Sequence, residues 1–325
     1  MRKGKKIILI TMFISIFISI ILSFLATEKW SAYSIITKPS ISNYRNLYKS
    51  VNLIENISGH KIKSLEGINS SNLIFERFIQ EYNSSDTKFD FITKNKKLLS
   101  QYEGEDNFHK YKEISDSIRL DKVEKRNEFN LSFQAKTADL SYDILDDYIK
   151  FVEDKVNKDI NENLALIIQS QKDIYKNRIL TLNTIANNKI KRDIEKAEIS
   201  LDIAKKAQQN EPVKDTYNTS SNEFDFIYGE RILKSKLDIL MSNRDKLKNI
   251  NSTDLINTKL KLNQLNNISI SELNTQPFKF LQKPLKPEQK IFPNKKNFVF
   301  FGAFIGFIIG FLIVMVRLTF SEIRN

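Results

Sequence analysis

Two uninterrupted apolar runs lie near the ends of this chain. Residues 7–26 form a stretch of 20 without a charged side chain, and residues 298–316 form a stretch of 19. About 20 apolar residues in a helix match the roughly 30 Å hydrocarbon core of a bilayer. We therefore predict two transmembrane helices. The first is longer than the apolar part of an ordinary signal peptide, so we expect a retained anchor.

Basic residues next to the runs indicate how the chain is oriented. Four of them precede the first run: Arg2, Lys3, Lys5 and Lys6. Because such residues stay on the cytoplasmic side, we expect segment 1–6 to be cytoplasmic, segment 27–297 to lie outside and tail 317–325 to be cytoplasmic again. Lys295 and Lys296 oppose this rule, since they flank the second run on its outer side. The rule is weaker for a connecting segment of this length.

The pattern between the runs predicts a mainly helical domain with a small sheet. Residues 30–37 are rich in β-branched and aromatic side chains, and residues 128–136 alternate apolar with polar, so both are predicted strands. Apolar residues then recur every three or four positions from about 138 to 209. A single helix of that length would extend roughly 100 Å. Further helices are predicted within 43–103, at about 228–250 and at about 252–266, with an extended segment after Asn267.

The predicted fold class is therefore an α+β membrane protein. Two transmembrane helices flank a mainly helical domain that has a small membrane-proximal sheet and one very long helix. A helix of roughly 100 Å cannot bury its whole apolar stripe inside one chain of 325 residues. The stripe therefore favours packing against other helices, including those of further copies in a homo-oligomer.

Small residues recur at four-residue spacing in both apolar runs. The first run has Thr11, Ser15, Ser19 and Ser23, and the second has Gly302, Gly306 and Gly310. Residues four apart share one helix face, and small side chains there allow another helix to approach closely. We predict transmembrane packing through Ser15, Ser19 and the three glycines, either between the two helices of one chain or between subunits.

Prolines cluster just before the second run. Four of the six in the chain lie in segment 277–293, namely Pro277, Pro284, Pro287 and Pro293. Proline fixes φ near −65° and has no N–H to donate, so the segment is predicted to be extended and polyproline-like, without a hydrogen-bonded ladder. Two interpretations remain open. It is either a stiff spacer or a contact surface for a partner at the membrane.

Composition and motifs favour a protein without catalytic chemistry. The net charge is +12, but basic residues are scattered among acidic ones, which is typical of solvated helix faces rather than of a nucleic-acid interface. There is no cysteine, and His60 and His109 lie in unrelated contexts, which makes a metal site a poor hypothesis. Phosphate-binding and nucleophile motifs are absent from the sequence. We expect no enzyme activity, cofactor or metal.

Three stretches together resemble a known family. They are LysTrpSerAlaTyrSerIleIleThrLysPro (29–39), PheGlnAlaLysThrAlaAsp (133–139), and the prolines at 284, 287 and 293 followed by the glycine-bearing run. In this arrangement the chain resembles the Wzz-type polysaccharide co-polymerases, the O-antigen chain-length determinants of Gram-negative inner membranes. Residues 40–125 show no motif of the family.

The resemblance implies a non-enzymatic role. Such proteins form periplasmic rings, work with the membrane-embedded polysaccharide polymerase, and set the modal number of repeat units on lipid-linked polysaccharide. One alternative is a capsule or exopolysaccharide co-polymerase that works with a separate tyrosine kinase. Another is a membrane sensor with a periplasmic helical domain, which would need an output domain that the short tail 317–325 does not supply.

Overall fold

The computed structural model describes residues 2–102, 107–123, 126–212, 225–244, 246–247, 253–269 and 273–323. The α-helices are α1 (Arg2–Leu25), α2 (Arg45–Ser58), α3 (Lys63–Glu66), α4 (Ser71–Asn83), α5 (Ser85–Lys94), α6 (Lys96–Leu99), α7 (Asn107–Ser117), α8 (Ala138–Lys206), α9 (Gly229–Ser242), α10 (Thr253–Asn266) and α11 (Lys295–Ile323). The strands are β1 (Trp30–Thr37), β2 (Ile118–Lys122), β3 (Glu128–Ala135) and β4 (Lys279–Leu285). This is the predicted fold class, with terminal apolar helices, one long central helix and a small sheet.

The four strands form one antiparallel sheet in the order β2-β3-β1-β4. β1 pairs with β3 in continuous register, from Trp30 opposite Ala135 to Thr37 opposite Glu128. Both strands were predicted from their side-chain pattern. β2 was not predicted. Ile118 and Leu120 do alternate with polar residues, but the strand has only five residues and Ile118 alone is buried.

One compact unit comprises Met1–Arg45, Gly67–Ile160 and Asn274–Asn325. Its core is aromatic. The ring centroid of Tyr148 on α8 lies 4.8 Å from that of Tyr82 and 5.0 Å from that of Phe91, and the Tyr148 hydroxyl donates to the backbone oxygen of Tyr82 at 2.7 Å. Phe78 packs on Phe278 at 4.5 Å, which joins α4 to the segment that leads into β4. Burial raises the pKa of both tyrosine hydroxyls.

The second unit comprises Asn46–Glu66 and Asn161–Leu273. There, α9 runs antiparallel to the end of α8, so that Leu233 is buried with Leu201 and Ala204. The predicted helix at 228–250 is observed in part, as α9, which ends at Ser242 and is followed by a turn at Asn243. Residues 245, 248–250 and Ser252 lie outside the described part of the chain. The predicted extended segment after Asn267 has no strand at 268–269, and residues 270–272 lie outside the described part.

α8 is the predicted long helix. It is assigned without interruption over 69 residues and ends at Lys206, three residues before the predicted end near 209. Gln208 ends the helical conformation, because its φ of 55° is in the left-handed region. The backbone N–H of Gln209 returns to the oxygen of Ala204 at 2.8 Å, so part of the helix terminus is satisfied within the chain.

Candidate functional site: the junction between the sheet and the terminal helices

Neighbouring strands connect directly to the two apolar helices. β1 follows α1 after four residues, β4 precedes α11 by nine, and the two strands pair with each other. Residues Lys5–Leu25 and Lys295–Val316 are long and apolar enough to cross a membrane, by length and composition. We call the segments 26–30 and 275–297, together with the ends of the two helices, the junction.

Short-range contacts clamp the two chain segments of the junction together. The backbone N–H of Lys29 donates to the oxygen of Phe292 at 3.0 Å, and the N–H of Ile291 donates to the oxygen of Lys29 at 2.9 Å. The Lys290 ammonium lies 2.7 Å from Glu28 Oε1. The hydrogen bond and the charge of Lys290 lower the pKa of the Glu28 carboxyl. The entry of the chain into the second helix is therefore tied to its exit from the first.

The proline segment contradicts one prediction. Residues Lys279–Leu285 pair with β1 as strand β4, so the expectation of an extended segment without a ladder is wrong for this stretch. The prolines are compatible with pairing because β4 is an edge strand whose register with β1 shifts twice. Edge strands and bulges are where a sheet accommodates a residue without an N–H. Pro284 lies in the first shift, between the residues opposite Tyr33 and Ile35.

Burial differs among the four prolines. Pro277, Pro284 and Pro293 are buried, whereas Pro287 is only partly covered, and the peptide bond that precedes Pro293 is cis. A buried proline cannot offer its ring to another protein. Most of the cluster therefore shapes the chain internally, and any direct contact by a proline falls to Pro287.

The start of the segment is anchored by side-chain amides. Asn43 makes two hydrogen bonds with Gln276. The backbone oxygen of Asn43 accepts from the Gln276 backbone N–H at 2.9 Å, and Asn43 Nδ2 donates to Gln276 Oε1 at 2.7 Å. Asn157 Oδ1, on α8, accepts from the backbone N–H of Thr275 at 3.1 Å. These bonds satisfy backbone groups that would otherwise be buried without partners.

Large apolar side chains face outward along the same segment. Leu281 is 50% exposed, Leu285 52% and Ile291 48%. They were not predicted from the sequence, although a short signal exists. Phe278 and Phe280 alternate with Lys279, which is the period of a strand and leaves Leu281 on the outward face. The junction thus offers an apolar edge that the described residues of its own chain do not cover.

The small residues of α1 and α11 lie against each other. A Cβ atom added at Gly302 would lie 2.7 Å from the Cβ of Ser19, and one added at Gly306 would lie 2.6 Å from the Cα of Met12 and 2.8 Å from the Cβ of Ser15. Gly310 faces Thr11 and Ile8 in the same way. These distances leave no room for a side chain. The role of this contact in assembly stays a prediction.

Two hydroxyl groups link the helices across the contact. Ser19 Oγ donates to the backbone oxygen of Phe298 at 2.5 Å, and Thr11 Oγ1 lies 3.1 Å from the oxygen of Gly306. Hydroxyls that reach a neighbouring helix in this way stabilise helix pairs in apolar surroundings.

Within the described residues, no group of three or more His, Asp or Glu side chains could hold a metal ion.

Comparisons with known proteins agree with this architecture. The family model described as "Wzz: Chain length determinant protein" matches residues 1–82. A relative from Escherichia coli K12 named "Ferric enterobactin transport protein FepE" is 24% identical over 94% of this chain and 83% of its own length. A "Chain length determinant protein" of the same strain is 22% identical over 99% of this chain and 90% of its own length.

Solved structures show the same fold. A full-length bacterial polysaccharide co-polymerase superposes with a TM-score of 0.71 at 18% identity and covers 98% of this chain and 96% of its own. The wild-type O-antigen chain-length regulator WzzBSF of Shigella flexneri gives 0.60 at 16% identity, over 80% of this chain and 99% of its own. The predicted resemblance is therefore confirmed: in sequence and in fold, this chain is similar to the Wzz-type polysaccharide co-polymerases.

Proposed function

We propose that this protein regulates the modal chain length of a lipid-linked surface polysaccharide, with lipopolysaccharide O-antigen as the favoured polymer. The observation that carries the proposal is similarity to chain length determinant proteins over 97–99% of this chain, together with two apolar helices joined through one sheet. The role is that of a scaffold rather than of an enzyme.

The proposed location is the bacterial inner membrane, with the bulk of the chain in the periplasm and both termini in the cytoplasm. Support comes from the two helices long enough to span a bilayer and from the basic residues before the first one. A reporter fused to either terminus tests the orientation. Alkaline phosphatase should be inactive and green fluorescent protein should be fluorescent at both ends.

The proposed assembly is a homo-oligomer, supported by an uncovered apolar face on α8. Large side chains that are 54–69% exposed recur in its middle part: Leu166, Ile174, Leu180 and Ile185. At about 100° per residue, they fall on the side opposite the buried Leu182, Ala186 and Ile190. A helix with apolar residues on two opposite faces has one face to its own chain and one available to a neighbour.

The proposed partner at the junction is the polysaccharide polymerase, an integral membrane protein. The exposed apolar side chains of Leu281, Leu285 and Ile291 lie on the segment that leads into α11. That position supports contact with a membrane-embedded partner. Lipid-linked polysaccharide is the proposed shared substrate. In this proposal the proline segment is not only a spacer. Its buried prolines fix the course of the strand, and the exposed apolar side chains beside them make the contact.

Deleting the gene and separating the cell's lipopolysaccharide on a gel tests the function. We expect loss of the modal peak in the ladder while polymer is still made. An unchanged ladder together with an altered capsule would instead indicate the capsule or exopolysaccharide co-polymerase. If neither polymer changes, the proposed function is wrong.

The contact surface is tested by Leu281→Ser with Leu285→Ser. Both side chains are about half exposed, so the variant should assemble normally but lose the modal peak. Leu53→Ser, at 48% exposure on α2, is the matched control and should keep the modal peak.

Comparing Pro284→Ala with Pro287→Ala distinguishes a proline that shapes the chain internally from one that contacts a partner. Lost length control in a normally assembled Pro287→Ala protein would favour direct contact.

A further inference from the structure

A groove runs along one side of the helix pair, next to the junction. Its volume is about 640 Å³, within the range of small-molecule sites. All of its lining residues belong to the first compact unit. The walls are residues from two stretches, Ser15–Leu22 of α1 and Phe298–Ile305 of α11, and the roof is formed by Ile291, Phe292 and Asn294.

The groove has a long apolar part and a polar end. Ile18, Leu22, Phe298, Phe301 and Ile305 line the apolar part. Asn294 and Asn297 stand at the end near the sheet, where α11 begins. A site that is apolar along its length and polar at one end matches the two parts of an amphiphile.

The length of the groove favours one lipid chain over a whole helix. Each wall is made of about eight residues, or roughly 12 Å at 1.5 Å per residue. One leaflet contributes about half of the roughly 30 Å hydrocarbon core. The groove therefore fits within a single leaflet, whereas a spanning helix from a second copy would need a contact surface through both.

Two lysines lie in the chain between the lining residues Asn294 and Asn297, although neither lysine lines the groove itself. Lys295 and Lys296 are the first residues of α11 and are exposed, and Lys295 Nζ lies 5.0 Å from the centre of the Phe24 ring. Lys290 pairs with Glu28, but no described carboxylate forms an ion pair with Lys295 or Lys296. These two lysines oppose the charge rule that governs membrane orientation, so their position calls for a reason other than topology.

We propose that the groove binds one anionic glycerophospholipid. Its acyl chain lies against Ile18, Phe301 and Ile305, and its phosphate lies beside Lys295 and Lys296, since lysine is a common partner of phosphate groups. The lipid fills the space next to the glycine contact and fixes the first turn of α11 at the membrane surface. This site shares Ile291 with the exposed edge proposed to meet the polymerase, but Leu281 and Leu285 of that edge do not line the groove.

The test uses the full-length protein in phosphatidylcholine vesicles that carry a photoreactive lipid. The probe is phosphatidylglycerol with a diazirine near the end of one acyl chain, and the comparison is phosphatidylcholine with the same chain. We expect the phosphatidylglycerol probe to label peptides containing residues 15–22 or 298–305. Lys295→Gln with Lys296→Gln should reduce that labelling on the order of fivefold per lysine. Ile18→Trp, which fills the groove, should reduce it further.

Matched variants make the result decisive. Lys61→Gln with Lys63→Gln removes the same charge from exposed sites outside the groove and should leave labelling unchanged. Because Lys295 and Lys296 are exposed, their replacement should not unfold the protein, so the lysine pair carries the test even if Ile18→Trp misfolds.

Three results would overturn the proposal. The first is equal labelling by both probes with no effect of the lysine pair, which would mean ordinary surrounding lipid. The second is efficient disulfide formation between two copies of Ile18→Cys, a clean reporter in a chain without cysteine, which would place a second copy over the groove. The third is a polyprenyl diphosphate, rather than a phospholipid, as the lipid that copurifies from cells.

Discussion

Replacing Gly306 with leucine should loosen the contact between α1 and α11. The added Cβ would lie 2.6 Å from the Cα of Met12 and 2.9 Å from the backbone oxygen of Thr11. Ordinary contact begins at 3.4 Å, so the helices must separate by about 0.8 Å even before the rest of the side chain is placed. Both neighbours are backbone atoms, which cannot rotate away.

The expected cost follows from two opposing effects. Forcing extra carbon atoms into a packed contact costs about 3 kcal/mol or more at the upper end of the usual range. Replacing glycine within a helix recovers about 1 kcal/mol. The net destabilisation is then about 2 kcal/mol. With an unfolding entropy of about 2.1 cal/mol/K per residue, this should lower the midpoint of thermal unfolding by about 3 °C in a protein of 325 residues.

The assay is the thermal transition of the detergent-solubilised protein, followed by tryptophan fluorescence. The single tryptophan, Trp30, starts β1 just after the first helix and therefore reports on the junction. Gly67→Ala is the control, because an added Cβ there has no neighbour within 4 Å. If Gly306→Leu unfolds with the same midpoint as the control and as wild type, the close helix contact is not a source of stability and the reasoning fails.

Three further outcomes follow from polar groups in the first unit. Burial, with Asp154 nearby, raises the pKa of Glu153 to about 7, so the folded state prefers the protonated carboxyl. The stability of the wild-type protein should therefore fall as the pH rises from 5 to 8. Glu153→Gln should remove about 1–2 kcal/mol of that pH dependence, measured by thermal unfolding. Tyr148→Phe leaves the buried backbone oxygen of Tyr82 without its hydrogen-bond donor. The free energy of unfolding, measured with denaturant, should fall by about 1–2 kcal/mol. Lys290→Gln should raise the pKa of Glu28 toward its ordinary value in an NMR titration.

Much of the fold could be predicted because its strongest signals are local. β1 follows from its β-branched and aromatic side chains, and β3 and the long helix α8 follow from side-chain periodicity. The two terminal helices follow from apolar length. β4 could not be predicted in the same way. Its prolines argue against a ladder, and only its place at the edge of the sheet, with two register shifts against β1, makes the pairing possible.

The candidate site, too, was predictable where the signal is local and unpredictable where it depends on distant segments. The spacing of Gly302, Gly306 and Gly310 indicates a contact face, but the sequence left its partner open between the same chain and another subunit. The structure places that face against Thr11, Ser15 and Ser19 of α1. The exposed edge around Leu281 has only a short local signal, the strand-like alternation that begins at Phe278. The groove roofed by Phe292 depends on which distant segments meet in space, and no local pattern encodes that.

The most direct test of the central claim is the distribution of polysaccharide lengths in the deletion strain as expression of this protein is raised from zero. A chain-length regulator predicts a modal peak that emerges with expression and keeps its position, while the amount of polymer stays nearly constant. The Leu281→Ser, Leu285→Ser variant should yield polymer without the peak. A distribution that stays unchanged at every expression level of wild type, for lipopolysaccharide and capsule alike, would contradict the account.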